Sequence, residues 1–235
     1  MKTVAKVACL AALGLALPVE GAEMDDMPLG SLLLQRLESR FHGNAASLAW
    51  EAQGWYGTDY RKLRLKAEGE RDAGGPTTDN EVQLLYQRLV ADFWDLQAGV
   101  RHDDQPGPSR SYAVLGVQGL APQWFEVDAN LFLSERGDPS LRLESEYELL
   151  LSQRLVLQPS LEYNLALADD RATGVGAGGS ELELGLRLRY EVRREFAPYV
   201  GYQWSKSYGR NGDIARAEGE KDEEGYWVAG IRLWF

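Results

Sequence analysis

The sequence predicts an all-β protein, an antiparallel transmembrane β-barrel of twelve strands, with ten strands as the alternative. Three observations lead to this fold class. Apolar and polar residues alternate along many segments, the segments are long, and their connections alternate between short and long. Alternation with a period of two is typical of β-strands. Outer-membrane barrels combine strands of roughly 9–11 residues with short periplasmic turns and longer outer loops.

The N-terminal segment has the features of an export signal. Lys2 and Lys6 form a positive region, residues 7–17 form a short apolar run, and the small residue Ala22 is a cleavage candidate. We therefore predict export and a location in the outer membrane of a Gram-negative bacterium. The predicted division of the chain is a signal peptide at 1–22, a short periplasmic Met/Asp segment at 23–30 and the barrel at 31–235.

Alternation justifies the strands in chain order. The first segment, LLLQRLESRF, is also compatible with a helical turn. The later segments each separate an apolar from a polar face. The predicted strands are 31–41, 47–57, 60–71, 80–90, 94–102, 111–121, 124–135, 140–151, 154–168, 179–192, 195–207 and 225–235. In the last strand, the apolar face consists of Trp227, Ala229, Ile231, Leu233 and Phe235.

The connections predict the orientation of the barrel. GTD, VADF, APQ, SQ and RRE are short, whereas DAGGPTTDN, HDDQPGPSRS, RGDPS, DDRATGVGAGG and SYGRNGDIARAEGEKDEE are longer. If the C-terminus is periplasmic, every short connection lies on the periplasmic side, as in outer-membrane barrels. Tyrosine and tryptophan residues lie mostly near strand ends, where amphipathic rings meet lipid headgroups.

Charge and rare residues exclude several function classes. The net charge is −11, which argues against a nucleic-acid-binding surface. Cys9 is the only cysteine and lies in the predicted signal peptide, so no disulfide or thiol nucleophile is expected. Only His42 and His102 could act as a histidine base, and neither belongs to a convincing Ser–His–acid pattern. We therefore predict no enzymatic activity and no organic cofactor.

Periodicity alone does not tell the inside of a barrel from its outside. The export signal and Phe235 favour an apolar face toward outer-membrane lipid and a polar face toward the lumen. The charged lumen is then either a structural core of paired charges or an acidic path for cations, since rings of Asp and Glu favour cations. The candidate path residues are Glu126, Asp128, Glu144, Glu146, Glu162, Glu181 and Glu183.

Several separated blocks resemble the copper-resistance protein B family (CopB/PcoB). They are DYRKLRLKAEGE, FWDLQAGVRHD, PGPSR, GLAPQWFEV, YELLLSQRLVLQP, ELGLRLRYEVRREFAPYVG and ARAEGE, which occur in this order and cover most of the chain after residue 93. The resemblance implies an outer-membrane barrel that binds or passes copper. It also implies a periplasmic multicopper oxidase as a partner. The alternative function is a general porin-like or structural barrel without copper preference.

The copper ligands implied by the resemblance are few in this chain. Family members commonly carry a Met- and His-rich segment before the barrel, and here only EMDDMP remains, with Met24, Asp25, Asp26 and Met27. Thioether sulfur suits Cu(I) and imidazole suits Cu(II). His102, followed by two aspartates, and His42 are the other metal candidates, with solvated loops as the competing interpretation. Copper is the only cofactor predicted.

The C-terminal residue suggests a further partner. Phe235 ends an apolar strand face and resembles the C-terminal aromatic signal that the barrel-assembly machinery reads. We therefore predict this machinery and outer-membrane lipid as partners of the chain.

Overall fold

The computed structural model describes residues 27–43, 45–72, 77–104, 108–170, 176–218 and 221–235. This part of the chain contains thirteen strand segments, one α-helix and one short 3-10 helix at Pro122–Trp124. The strands and the α-helix are β1 (Leu29–His42), β2 (Ala45–Gly57), β3 (Arg61–Asp72), β4 (Thr77–Ala91), β5 (Trp94–Asp104), β6 (Arg110–Ala121), β7 (Phe125–Ser134), β8 (Pro139–Glu146), β9 (Leu149–Leu150), β10 (Leu155–Ala166), β11 (Ser180–Tyr190), β12 (Phe196–Tyr208), α1 (Gly209–Glu218) and β13 (Glu223–Trp234).

The strands close into one antiparallel barrel, which confirms the predicted fold class. Each strand pairs with its neighbour along the chain, and β1 pairs with β13 to complete the circle. Because β8 and β9 both pair with β10, they are two parts of one barrel strand. The barrel therefore has the predicted twelve strands rather than ten.

The break between β8 and β9 has a local cause. It falls at Tyr147 and Glu148, opposite Pro159 of β10. The Tyr147 N–H donates to the Pro159 carbonyl at 3.1 Å, but proline has no N–H to return a bond. One ladder hydrogen bond is lost there, and the strand that the sequence predicts as continuous over 140–151 is interrupted.

The two faces of the strands are arranged as predicted. Most leucines and many aromatic residues point outward, as for Leu115 with 53% of its surface exposed, and form the apolar band around the barrel. Charged and amide side chains point inward, and Glu38, Gln87 and Gln97 are fully buried. Polar residues therefore fill the lumen, as expected for a barrel that lies in lipid.

A β-bulge in β1 explains why its sequence does not alternate cleanly. The register of β1 shifts against β2 between Leu34 and Arg36, and against β13 between Leu34 and Leu37. Gln35 and Arg36 therefore both reach the lumen, where each contacts Glu146. A bulge places two successive residues against one partner residue.

The connections differ from the predicted loops at one place. The sequence predicts a loop between β12 and β13, whereas the structure places α1 within this segment, at Gly209–Glu218. No helix in the described part of the chain is long and apolar enough to cross a membrane. The five turns that the sequence predicts to be short, between β2 and β3, β4 and β5, β6 and β7, β9 and β10, and β11 and β12, lie at the end of the barrel where β1 begins and β13 ends, which we call the short-turn end. At the other end, the connection between β1 and β2 is also short.

Candidate functional site in the barrel lumen

One row of carboxylates crosses four adjacent barrel strands. Asp128 of β7 pairs with Glu144 of β8, Glu144 pairs with Glu162 of β10, and Glu162 pairs with Glu183 of β11. All four side chains line cavities of the lumen. Like charges placed directly opposite each other destabilise a sheet, so this row requires cations close by.

A second row lies on the facing wall. Glu51 of β2, Glu68 of β3, Glu81 of β4 and Asp103 of β5 are successive register partners. The alternation of the sequence predicts individual inward acidic residues but not these rows, because the rows depend on how the strands are staggered. The lumen therefore contains two facing lines of negative charge.

Arg142 of β8 lies between the two rows and contacts both. Its guanidinium is 3.0 Å from Glu81 and 3.3 Å from Glu68 on the facing wall. It also lies 3.5 Å from Glu162 and 3.8 Å from Glu144 on its own side. A single buried cation thus serves four carboxylates. The stability of such a buried charge network depends strongly on each member, because removing one charge leaves the charge of its partners uncompensated.

Two further cations bridge the lumen. Arg36 of β1 lies 2.6 Å from Glu146 and 3.2 Å from Glu51. Lys66 of β3 lies 2.6 Å from Asp128 on β7. With Arg142, these side chains form a constriction that we call the waist. The contacts join strands from opposite parts of the barrel, so the waist narrows the lumen from both sides.

The waist separates two wider cavities of different charge. The cavity toward the long loops, here called the outer vestibule, has a volume of about 290 Å³. The cavity at the short-turn end has a volume of about 600 Å³, and its acidic residues are balanced by four arginines. In the outer vestibule, carboxylates far outnumber arginines. Its acidic lining residues are Glu51, Glu68, Glu70, Asp79, Glu81, Asp103, Glu162, Glu181 and Glu183.

All seven residues of the predicted acidic path face the lumen. Asp128, Glu144, Glu162 and Glu183 form the first row described above. Glu126 and Glu146 are register partners on the short-turn side of that row, and Glu181 lies on the long-loop side, in the outer vestibule. Most are held by partners: Gln203 donates a short hydrogen bond to Glu183, and Gln158 donates to Glu146 at 2.8 Å.

The predicted metal ligands are not brought together in the described structure. Met24, Asp25 and Asp26 lie outside the described residues, and Met27 is exposed beside the start of β1. No group of three or more His, Cys, Asp or Glu side chains within the described ranges is placed to hold a metal ion.

The two histidines lie near the long loops but on different surfaces. The His42 ring packs 4.2 Å from the Tyr226 ring, and its Nε2 is 4.0 Å from a Glu224 oxygen. His102 is exposed, and its Nδ1 lies 3.0 Å from the Ser111 hydroxyl. Because β5 continues to Asp104, His102 and the buried Asp103 point to opposite faces of the sheet.

Several lumen residues are not predicted by the sequence pattern. Glu38 is fully buried and pairs with Arg187 at 3.0 Å and with Arg40 at 3.2 Å. Tyr199 donates to the same carboxylate at 3.1 Å. The signal was present as charges at the alternate positions 36, 38 and 40, but the bulge before them made this segment look partly helical.

Comparison with known proteins places this barrel in a family. The family described as copper resistance protein B precursor (CopB) matches residues 29–235. Copper resistance protein B of Escherichia coli is 45% identical over 218 residues, which cover 92% of this chain and 73% of that protein. A copper resistance protein B homolog of Pseudomonas syringae pv. tomato is 41% identical over 216 residues, with the same two coverages.

Solved structures agree on the architecture. The NanC porin matches with a TM-score of 0.56 and 13% identity, over 86% of this chain and 98% of the porin. The KdgM porin matches with a TM-score of 0.52 and 10% identity, over 87% of this chain and 99% of that porin. At such low identity these likenesses show the outer-membrane barrel fold alone. The family match over nearly the whole barrel, together with the two close relatives, shows that the chain belongs to the copper resistance protein B family.

Proposed function

We propose that this barrel serves copper resistance by attracting copper ions into its acidic outer vestibule and passing them through the lumen at the outer membrane. The protein acts without catalysing a reaction, as an ion conduit. Family membership supports the link to copper resistance. The observation that carries the proposed route is the excess of carboxylates over arginines in the outer vestibule.

Electrostatics explain why this vestibule would receive a metal cation. Carboxylates confined between low-dielectric walls concentrate cations, and rings of Asp and Glu favour cation passage. Cu²⁺ binds a given set of oxygen or nitrogen ligands more tightly than the other common divalent metals of the first transition row. The row through Glu162 and Glu183 continues from this vestibule to Glu144 and Asp128 at the waist, so a cation would meet carboxylates along its path.

A general porin-like or structural barrel is the second candidate. The waist favours it, because Arg36, Lys66 and Arg142 hold the acidic residues in ion pairs that cross the lumen. In that case the charges are a structural core, and the barrel discriminates little between copper and other divalent cations.

Copper entry into vesicles tests the two candidates. The full chain is reconstituted into liposomes that contain a metal-sensitive dye, and Cu²⁺ entry is compared with Mg²⁺ entry. The test variant is Glu162→Gln/Glu183→Gln. The control is Glu135→Gln/Glu195→Gln, which removes the same charge from exposed turns. We expect faster entry of Cu²⁺ than of Mg²⁺ and an at least fivefold slower Cu²⁺ entry in the test variant only. Equal entry of both metals, unchanged by either variant, would instead favour the porin-like barrel.

We also propose that the chain is exported with cleavage of its signal peptide and inserted by the barrel-assembly machinery. Phe235 points outward at the short-turn end with 73% of its surface exposed, so its ring is accessible for recognition. Phe235→Ala should lower the fraction of heat-modifiable barrel in outer-membrane fractions, and N-terminal sequencing of the isolated protein locates the cleavage. A periplasmic multicopper oxidase is a proposed partner on family resemblance, and co-purification from crosslinked cells tests it.

A further inference from the structure

At the short-turn end, the outward face of β3 and β4 changes from apolar residues to a pair of arginines. Along β3 and β4 the outward residues form successive register pairs, with Leu65 opposite Leu84 and Leu63 opposite Tyr86. These side chains are exposed, as lipid-facing residues should be. The next pair toward the short turns is Arg61 opposite Arg88, and both side chains are exposed.

This pairing is unfavourable without an anion. Two guanidinium groups directly opposite each other on neighbouring strands repel, whereas opposite charges at such positions attract. Neither Arg61 nor Arg88 forms an ion pair in the described part of the chain. Asp59 and Asp92 lie in the two turns nearest the pair. Neither carboxylate lies within 4.0 Å of Arg61, Arg88 or another basic side chain of the described residues. The pair is therefore left with its full charge on the outer surface.

The position of the pair corresponds to the edge of the apolar band. Arg61 is the first residue of β3, and Arg88 lies close to the turn that follows β4. The backbone N–H of Leu89 donates to the Tyr60 carbonyl at 3.0 Å, which holds the two strand ends together. Tyr60, with 58% of its surface exposed, lies beside the pair. Tyrosine at this depth is typical of the headgroup region of a bilayer.

We propose that Arg61 and Arg88 form a binding site for the phosphate of an anionic phospholipid headgroup in the leaflet at the short-turn end. Guanidinium groups bind phosphate oxygens through paired, charge-assisted hydrogen bonds. A phosphate between the two side chains neutralises their repulsion. The acyl chains of the same lipid then extend along Leu63, Tyr86 and the leucines above them. This site is separate from the lumen and does not depend on copper.

Lipid binding by the full chain tests the site. The barrel is purified in a zwitterionic detergent and titrated with phosphatidylglycerol, and bound lipid is counted by native mass spectrometry. We expect Arg61→Gln/Arg88→Gln to weaken phosphatidylglycerol binding at least fivefold. The control Arg154→Gln/Arg193→Gln removes two exposed arginines from turns at the same end of the barrel and should leave binding unchanged. Arg61→Lys/Arg88→Lys should retain part of the affinity.

Two outcomes would overturn the assignment. Equal phosphatidylglycerol binding by the wild-type chain and Arg61→Gln/Arg88→Gln would show that the pair does not hold the lipid. Displacement of the lipid by an equal concentration of inorganic phosphate would show that the pair binds a free oxyanion rather than a membrane lipid. Heat-modifiable migration of each variant on a gel reports whether the barrel is folded, and Arg61→Lys/Arg88→Lys keeps the test valid if the glutamine variant fails to fold.

Discussion

Replacing Arg142 with methionine removes the cation that serves both carboxylate rows. Methionine keeps an unbranched apolar stem but is shorter and uncharged, so the change removes the guanidinium group and leaves the carboxylates in place. Glu81 retains Arg101, whose guanidinium lies 2.6 Å away. Glu162 and Glu144 lose a contact at 3.5 Å and 3.8 Å, and Glu144 retains Lys66 at 3.6 Å.

The size of the effect follows from these remaining contacts. Removing one member of a buried ion-pair network costs about 3–5 kcal/mol when the partner is left without compensation. The Arg142 side chain is 11% exposed, but Glu68 is 43% exposed and is stabilised by water. Because Glu81 and Glu144 keep other cations, we expect a loss of about 3 kcal/mol in the free energy of unfolding at neutral pH. The loss should be smaller at low pH, because protonation of the carboxylates removes their repulsion.

Urea unfolding of the barrel in lipid vesicles, followed by tryptophan fluorescence at neutral and acidic pH, measures this difference. Arg216→Met is the matched control, since Arg216 is a surface residue that pairs with Asp213 and Asp222. Exposed pairs contribute about 0–1 kcal/mol. If Arg142→Met and Arg216→Met lowered the unfolding free energy by the same small amount, or if acid did not reduce the loss, the charge balance described for the waist would be wrong.

Three further changes test other parts of the barrel. Phe132 is buried beneath the guanidinium groups of Arg101 and Arg142, so Phe132→Ala should cost about 3–5 kcal/mol in urea unfolding, and a cost below 1 kcal/mol would contradict this packing. A Cβ at Gly116 would lie 2.5 Å from the Ala129 carbonyl oxygen, so Gly116→Ala should cost about 1–3 kcal/mol, whereas a neutral result would mean that the neighbouring strand yields. Arg142→Gln should raise the cation conductance of the barrel in planar bilayers; unchanged conductance would show that the waist does not limit ion flow.

The barrel fold could be predicted from the sequence, because apolar and polar residues alternate within each strand and each strand pairs with the next along the chain. The choice of twelve strands followed from the number of such segments. The inward direction of the polar face required the export signal in addition, since alternation is the same for a soluble sandwich and for a barrel in lipid. The exposed leucines on the outer face confirm that choice.

The arrangement inside the lumen could not be predicted in the same way. Which carboxylates stand side by side depends on the stagger between strands, and a shift of one residue reverses the face of a side chain. The bulge at Gln35 and Arg36 changes the phase of β1, and no local signal revealed it. Alternation along the strand is enough to place His102 and Asp103 on opposite faces. The predicted strand ends at residue 102, however, whereas β5 continues to Asp104.

The contact between β1 and β13 has a consequence for the order of folding. All other pairings join strands that follow each other along the chain, whereas this one brings together residues such as Ser31 and Trp234, which are 203 positions apart and linked by a 2.8 Å hydrogen bond. Such a distant contact carries the largest loop-closure entropy and forms slowly. Until it forms, the polypeptide is an open sheet with two unpaired edges, each able to accept a strand from another chain. The interval before closure is therefore when this protein is most exposed to aggregation and most dependent on assistance.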